Sequence, residues 1–120
     1  MKQIKYVLAY KVIDKIKNND SVPSDLSYTF FRIRKILQPQ WDFQLEEETK
    51  IFNKYNPKNT GNGTFKFDNP DDAPKFAEEI ENLSNIEVED SFDKVQFKPD
   101  DRINLSIEDL EVLEPFVEYV

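Results

Sequence analysis

Three consecutive glutamates, Glu46 to Glu48, are the carboxylates of this chain that most resemble a metal-binding or catalytic site. They follow the single tryptophan, Trp41, and Lys50 lies four residues after Glu46. Paired carboxylates on helices bind divalent metals when neighbouring helices add further acids or histidines. Consecutive helical residues, however, point in directions about 100° apart, so these three side chains do not converge on one ion. We therefore expect them to face water, with Glu46 paired to Lys50, and we expect no metal site and no cofactor.

The composition excludes most catalytic chemistry. The chain has no histidine and no cysteine. Histidine is the commonest general base, and cysteine thiolates act as nucleophiles and zinc ligands. The glycine motifs that bind phosphate and the acidic loop that binds calcium are also missing from the sequence. We therefore predict that the protein is not an enzyme.

Charge is divided unevenly along the chain. Residues 1–60 carry 11 basic and 7 acidic side chains, a net charge of +4, whereas residues 61–120 carry 5 and 17, a net charge of −12. The second half disfavours binding to nucleic-acid phosphates. One alternative is that an acidic surface imitates a polyanion and inhibits a basic partner. Six residues would form this surface: Asp71, Asp72, Glu78, Glu79, Glu87 and Glu89.

The segment YTFFRIRK (28–35) interleaves aromatic and basic residues. Aromatic side chains beside cations stack on single-stranded bases, so Arg32, Arg34 and Lys35 suggest a nucleic-acid binder as a second alternative. The apolar members of this segment also fit one stripe of a helix, and we favour packing in a core. A nucleic-acid partner is therefore not expected.

Apolar periodicity predicts a helical hairpin in the first half of the chain. Ile4, Leu8, Val12 and Ile16 indicate an amphipathic helix over residues 3–17. The second arm covers residues 24–55, with an N-cap at Ser24 or Asp25. Pro39 has no amide hydrogen, so this arm should stop or kink near residues 37–38. Its apolar stripe is Leu26, Phe30, Ile33 and Leu37 before the proline, and Trp41, Leu45 and Phe52 after it.

The second half of the chain predicts a small sheet and two further helices. Both glycines lie in residues 56–63, which indicates a tight turn or a mobile loop. Alternating residues predict strands over 64–67, 86–89 and 94–97. Between the first two strands, an apolar face (Ala73, Phe76, Ala77, Ile80 and Leu83) predicts a helix capped by Asp71 or Asp72. Ser106 and Asp109 resemble a capping box before a short final helix that ends at Pro115.

These elements predict an α+β fold in one domain over residues 1–120. A helical half (1–56) and an acidic α+β half (64–120) are joined by the loop 56–63. The sheet is expected to be antiparallel. The N-terminal residues indicate neither a signal peptide nor a membrane span, so we expect a cytoplasmic protein without membrane contact.

The order of these segments resembles a family of small proteins from tailed phages and prophages of Gram-positive bacteria. The segments LSYTFFRIRKILQPQWDFQLEEETKIFNKY, FAEEIENLSNIEVE and LSIEDLEVLEPFV carry the resemblance. The residues of this chain that would match the motifs of that family are 28–35, 46–50 and 107–113. The family has no assigned function, so the resemblance implies a phage context and the cytosol of a bacterial host, and no catalytic residue.

The leading hypothesis is a non-enzymatic protein that acts through protein–protein contacts, as an assembly accessory or a modulator of a host factor. Trp41 lies beside the proline joint, between Gln40 and Gln44. If Trp41 is half-exposed, this joint is the first candidate for a partner-binding surface, together with Arg32 and Arg34. Association between copies of the chain is left open.

Overall fold

The computed structural model describes residues 1–17 and 22–120, and two antiparallel helices form its largest part. Helix α1 spans Gln3–Lys17 and helix α2 spans Ser24–Tyr55. Their direction follows from two contacts, since Gln3 at the start of α1 reaches Gln44, and Tyr10 further along α1 reaches Gln38. The predicted helical hairpin is confirmed. Part of its connection, residues 18–21, lies outside the described residues.

Helix α2 continues through Pro39 as one helix of 32 residues. The sequence left open a stop or a kink at residues 37–38, and the structure shows no stop there. Proline removes the amide that would bond to the carbonyl of Lys35, four residues earlier. Both residues are exposed, so water can hydrogen-bond to that carbonyl, while Ile33 and Leu37 on the opposite side are buried completely. Packing on the inner face therefore carries the helix across the proline.

The start of α2 differs from the prediction. Neither Ser24 nor Asp25 caps the helix; the N-cap position is Pro23, and no side chain caps the first turn. The backbone bond from the amide of Ser27 to the carbonyl of Pro23, at 2.9 Å, begins the helix instead. Asp25 lies within the first turn, where its charge favours the helix dipole.

Helix α1 is buried on two sides because it packs against α2 and also against the C-terminal elements. Tyr6 and Ile13 are almost fully buried, and the ring of Tyr6 meets Phe116 edge-on at 5.1 Å. Leu8, predicted to face the core, is 41 % exposed. The buried face is therefore rotated away from the predicted stripe, because tyrosines and Gln3 share it with the aliphatic residues.

A short hairpin and a helix follow α2. Strands β1 (Lys58–Asn59) and β2 (Phe65–Lys66) pair antiparallel. Gly61 and Gly63 both have positive φ in the turn between them, as their position in the sequence predicts. Helix α3 spans Asp72–Ser84; Asp71 is its N-cap residue, but the side chain makes no capping hydrogen bond.

The second strand pair is parallel and lies at the C-terminus. Strand β3 (Val95–Phe97) pairs with β4 (Val117–Tyr119), in the register Val95 to Val117. The predicted strand over residues 86–89 is wrong: it is reduced to one isolated bridge between Glu87 and Lys2. The segment meets the start of the chain, where the Ile86 carbonyl accepts from the Gln3 amide and the Val88 amide donates to the Met1 carbonyl. Gln3 already belongs to α1, so the pairing does not extend into a ladder. The α+β class is confirmed, with one antiparallel and one parallel pair.

Helix α4 (Ile107–Leu113) is joined to α1 through the carboxylate of Asp109. The capping box is present as predicted: the Asp109 amide donates to Ser106 Oγ at 3.0 Å, and Asp109 Oδ2 accepts from the Ser106 amide at 3.1 Å. The same oxygen accepts from Lys15 Nζ at 2.8 Å. A short 3-10 turn, Glu114–Phe116, then leads into β4.

The core is one cluster of buried side chains from α1, the first part of α2, β3, β4 and the segment between them. It includes Ile13, Ile33, Leu37, Phe97 and Phe116. Phe76 and Leu83 of α3 are buried outside this cluster. The molecule measures 51 × 32 × 21 Å. Within residues 1–17 and 22–120, no helix is long and apolar enough to cross a membrane.

Replacing Asp109 with asparagine is expected to lower stability in a pH-dependent manner. Burial alone would raise the pKa of Asp109, but hydrogen bonds from Lys15 and Ser106 outweigh it and hold the pKa below the ordinary value of 3.8. The carboxylate therefore stabilises the fold above that value, and this contribution disappears as the pH falls through the lowered pKa. We expect Asp109→Asn to cost about 1–2 kcal/mol near pH 7.

Urea unfolding near neutral pH and at about pH 3 measures the effect. Glu108→Gln, which removes an exposed charge from the same first turn, is the control and should change stability by less than about 0.5 kcal/mol. A loss for Asp109→Asn that stays equally large in acid would contradict the assignment.

Candidate functional site

The proline joint is a packed contact between α1 and α2. The Trp41 ring is partly buried and stacks on Tyr10, with centroids 4.4 Å apart and planes within 10°. Gln3, completely buried, donates through Nε2 to the carbonyl of Gln40 at 2.8 Å and to Gln44 Oε1 at 3.3 Å. Gln44 is itself buried, so of the three residues predicted to bind a partner here, only Trp41 and Gln40 are partly accessible.

Two of the three glutamates share one lysine, so the predicted divergence holds only for Glu48. Glu46 and Glu47 lie 3.8 and 3.3 Å from Lys50 Nζ. Glu48 accepts a hydrogen bond of 2.8 Å from Gln44 Nε2 and so extends the buried amide contact to the surface. Across the part of the chain that the structure describes, no group of three or more carboxylates could hold a metal ion.

The segment 28–35 places its aromatic residues on both sides of α2. Phe30 is buried, whereas Tyr28 is 63 % exposed and Phe31 is 42 % exposed. The exposed rings lie 6.2 Å apart in a roughly parallel arrangement, and Lys35 Nζ lies 5.1 Å from the Phe31 centroid. Arg32 is exposed beside them, while Arg34 is partly buried. We name the exposed residues Tyr28, Phe31, Arg32 and Lys35 the aromatic–basic row.

Core packing was therefore the right expectation for only part of this segment. Positions 28, 31, 32 and 35 follow helical spacing on the outer face of α2, opposite the buried residues Phe30 and Ile33. Two aromatic rings and two cations thus remain on the surface of an acidic protein. Exposed aromatic rings beside cations are suited to binding a partner.

The six predicted acidic residues lie along α3 and in the segment after it. Asp71 and Glu78 are exposed and lie seven residues apart on one side of α3, whereas Asp72 and Glu79 are partly buried. Glu79 is paired with Lys54 of α2 at 3.0 Å, and Glu87 lies 3.7 Å from the N-terminal amine. Glu89 is exposed. Two of the six therefore already have cationic partners, and a shared acidic face is left chiefly to Asp71 and Glu78.

An aromatic cluster surrounds Phe76 beyond the main core. Four rings lie around this buried side chain with centroids 5.2 to 6.2 Å away: Phe52, Tyr55, Phe65 and Phe67. They come from the end of α2 and from the β1–β2 hairpin with its adjoining residues. Phe52 and Phe65 remain about 40 % exposed, so the cluster has an open side.

The open side forms a groove with a volume of about 580 Å³. Small side chains on α3 create it: Ala73 and Ala77 lie one turn apart, and Ile80 continues the same row. The phenylalanines of the hairpin form the other wall. The lining residues are Thr64, Phe65, Phe67, Ala73, Phe76, Ala77, Ile80 and Glu81, and we name them the α3 groove.

The groups with strongly shifted pKa values lie elsewhere, at structural contacts. In the loop before α4, hydrogen bonds from Arg102 lower the pKa of Asp100 to about 2. The Arg102 guanidinium and its own amide both bond to this carboxylate, at 2.5 to 2.9 Å. Burial raises the pKa of Tyr119 to about 12, and its hydroxyl donates to the Leu110 carbonyl at 2.5 Å. These shifts have structural causes and none of these residues lines the α3 groove.

The sequence indicated the parts of the groove but not their exposure. Phe65 and Phe67 were placed on one face of a strand, and Ala73, Phe76, Ala77 and Ile80 on one face of a helix. Apolar faces normally cover each other completely. The available signal was the pair of alanines, because small residues leave space that flanking aromatic rings do not fill.

The comparisons with known proteins find no match for this chain. No family model, no curated protein and no solved structure is significantly similar to it. The surfaces themselves therefore supply the argument for function.

Two adjacent phenylalanines test the placement of the aromatic–basic row. Phe30→Ala is expected to lower the free energy of unfolding by about 3–5 kcal/mol, because it removes a ring from the core. Phe31→Ala, the matched control, should cost less than about 1 kcal/mol, since its ring is on the surface. Chemical denaturation of both variants measures the difference, and equal losses would contradict the orientation of α2.

Proposed function

We propose that this chain is a non-enzymatic protein-binding module that acts through the α3 groove. The observation that carries the proposal is the open aromatic groove between α3 and the β1–β2 hairpin. Six of its eight lining residues are apolar, and the groove is shallow and open to water. An apolar groove left open to water costs free energy that a bound partner would recover.

The shape of the groove suits a helix of a partner protein. Ala73, Ala77 and Ile80 line about 10 Å of α3, or two helical turns. Small residues at this spacing allow a second helix to approach closely. An amphipathic helix with apolar residues at matching intervals would fill the groove by the same packing that joins helices inside proteins.

The cellular setting is part of the same proposal. From the order of its sequence segments alone, with no match among known proteins, we place the chain in the cytosol of a Gram-positive host that carries a phage or prophage, as an assembly accessory or a modulator of a host factor. Phe65 and Phe67 carry its binding role in this proposal, rather than the joint at Trp41. Trp41 is secondary because its ring already stacks on Tyr10 within the protein.

Affinity capture with a matched pair of variants tests this function. Ala77→Gln places a polar side chain in the groove, while Lys75→Gln makes the same substitution on the exposed far side of α3. A protein captured by the wild type from a Gram-positive bacterium carrying the prophage should be lost with Ala77→Gln, by tenfold or more, and retained with Lys75→Gln. Equal capture by both variants would refute a role for the groove.

A further inference from the structure

The α3 groove has an acidic border. Among the described residues that line it, Glu81 is the one acidic residue. Glu78 lies three residues before Glu81, and Asp71, the N-cap of α3, lies seven residues before Glu78, with Lys75 on the helix face beside both. All three carboxylates belong to exposed residues. A helix that enters this groove therefore gains from carrying basic residues beside its apolar anchors.

The aromatic–basic row of α2 has the complementary chemistry. Tyr28 and Phe31 are exposed aromatic anchors, and Arg32 and Lys35 supply two cations on the same face. The row spans eight residues of helix, from Tyr28 to Lys35, with a rise of about 10 Å, which equals the length of groove between Ala73 and Ile80. Tyrosine, phenylalanine and arginine are enriched where proteins bind one another.

The aromatic–basic row of one molecule cannot reach the α3 groove of the same molecule. Phe31 of the row and Phe52 beside the groove are both on α2, 21 residues apart, which corresponds to about 31 Å of continuous helix. The helix holds the two surfaces at this separation. Any contact between the row and a groove must therefore involve two molecules.

We propose that the aromatic–basic row of one copy binds in the α3 groove of a second copy, so that the protein assembles head to tail. This inference rests on the proposed binding function of the groove and names its occupant. Because the two surfaces differ, the contact is heterologous, and repetition either extends into a chain of molecules or closes into a ring. The unequal charge of the two halves of the sequence, +4 and −12, favours this arrangement.

The contact has a predictable dependence on salt. Arg32, Lys35 and the carboxylates at the border of the groove are near the solvent, where added salt screens their attraction. Raising NaCl from about 0.05 M to about 0.5 M should weaken the association at least several-fold. The apolar part of the contact is insensitive to this change, so the association should weaken rather than disappear.

Two variants, each defective in one surface, test the contact. Phe31→Asp disables the row and leaves the groove intact; Ala77→Arg fills the groove, adds a repelling charge and leaves the row intact. Sedimentation of the full-length wild type, from about 1 µM to about 1 mM, should show an average mass that rises above the 14.2 kDa of one chain. Each variant alone should remain at 14.2 kDa.

A mixture of the two variants is the decisive sample. It retains one working row and one working groove, so it should form dimers of twice the single-chain mass and nothing larger. Leu8→Asp and Ser91→Arg are the controls, because they introduce the same kinds of charge at exposed positions outside both surfaces. Both controls should assemble as the wild type does, and circular dichroism verifies that all variants are folded.

Three results would overturn the head-to-tail contact: a wild type that stays at 14.2 kDa throughout, variants that assemble normally, or a mixture that stays monomeric. Binding of a single-stranded DNA probe by a monomeric wild type, lost in Phe31→Asp, would reassign the row to nucleic acid and equally refute it. A monomeric wild type that still captures a partner through Ala77 would refute the contact between copies and leave the proposed function standing.

Discussion

The continuous helix α2 is the constraint on which the rest of the structure depends. Its 32 residues correspond to about 48 Å, close to the 51 Å length of the whole molecule. α1 covers it from residue 26 to residue 44, together with the C-terminal strands, and there the core is complete. α3 and a two-residue hairpin cover the remainder, and they leave the rings around Phe76 partly open. One rigid helix thus joins a closed core to an open groove.

The sequence predicted the positions of the helices better than it predicted which segments pair with one another. Periodicity located α1, α2 and α3, and the capping box at Ser106 located α4, because these signals act within one or two turns. The strand at 86–89 failed because alternation cannot reveal that the segment would form a single bridge, to Lys2, instead of a ladder with another strand. The parallel partner of β3 lies about 20 residues away, which no local pattern encodes.

Burial was the hardest property to predict. Leu45 occupies a helical position consistent with the core stripe but is 45 % exposed, because the stripe of a long helix faces different neighbours along its length. Phe30 and Phe31 are adjacent and equally apolar, yet only Phe30 is buried, against Phe97 at 5.4 Å, while Phe31 lies beside Tyr28 on the surface. Which side of α2 is covered depends on elements far away in sequence. The candidate surfaces consist of such residues, so only the structure reveals them.

The most direct test of this account is the length of α2 across Pro39. The chain contains no cysteine, so spin labels attached to Ser27→Cys and Asn53→Cys, two exposed positions of the helix, report this distance without interference. A continuous helix places the two Cα atoms about 39 Å apart, and we predict one narrow distance distribution near that value. A distance shorter than about 30 Å, or two separate populations, would show that α2 breaks at the proline and would contradict the separation of core, row and groove.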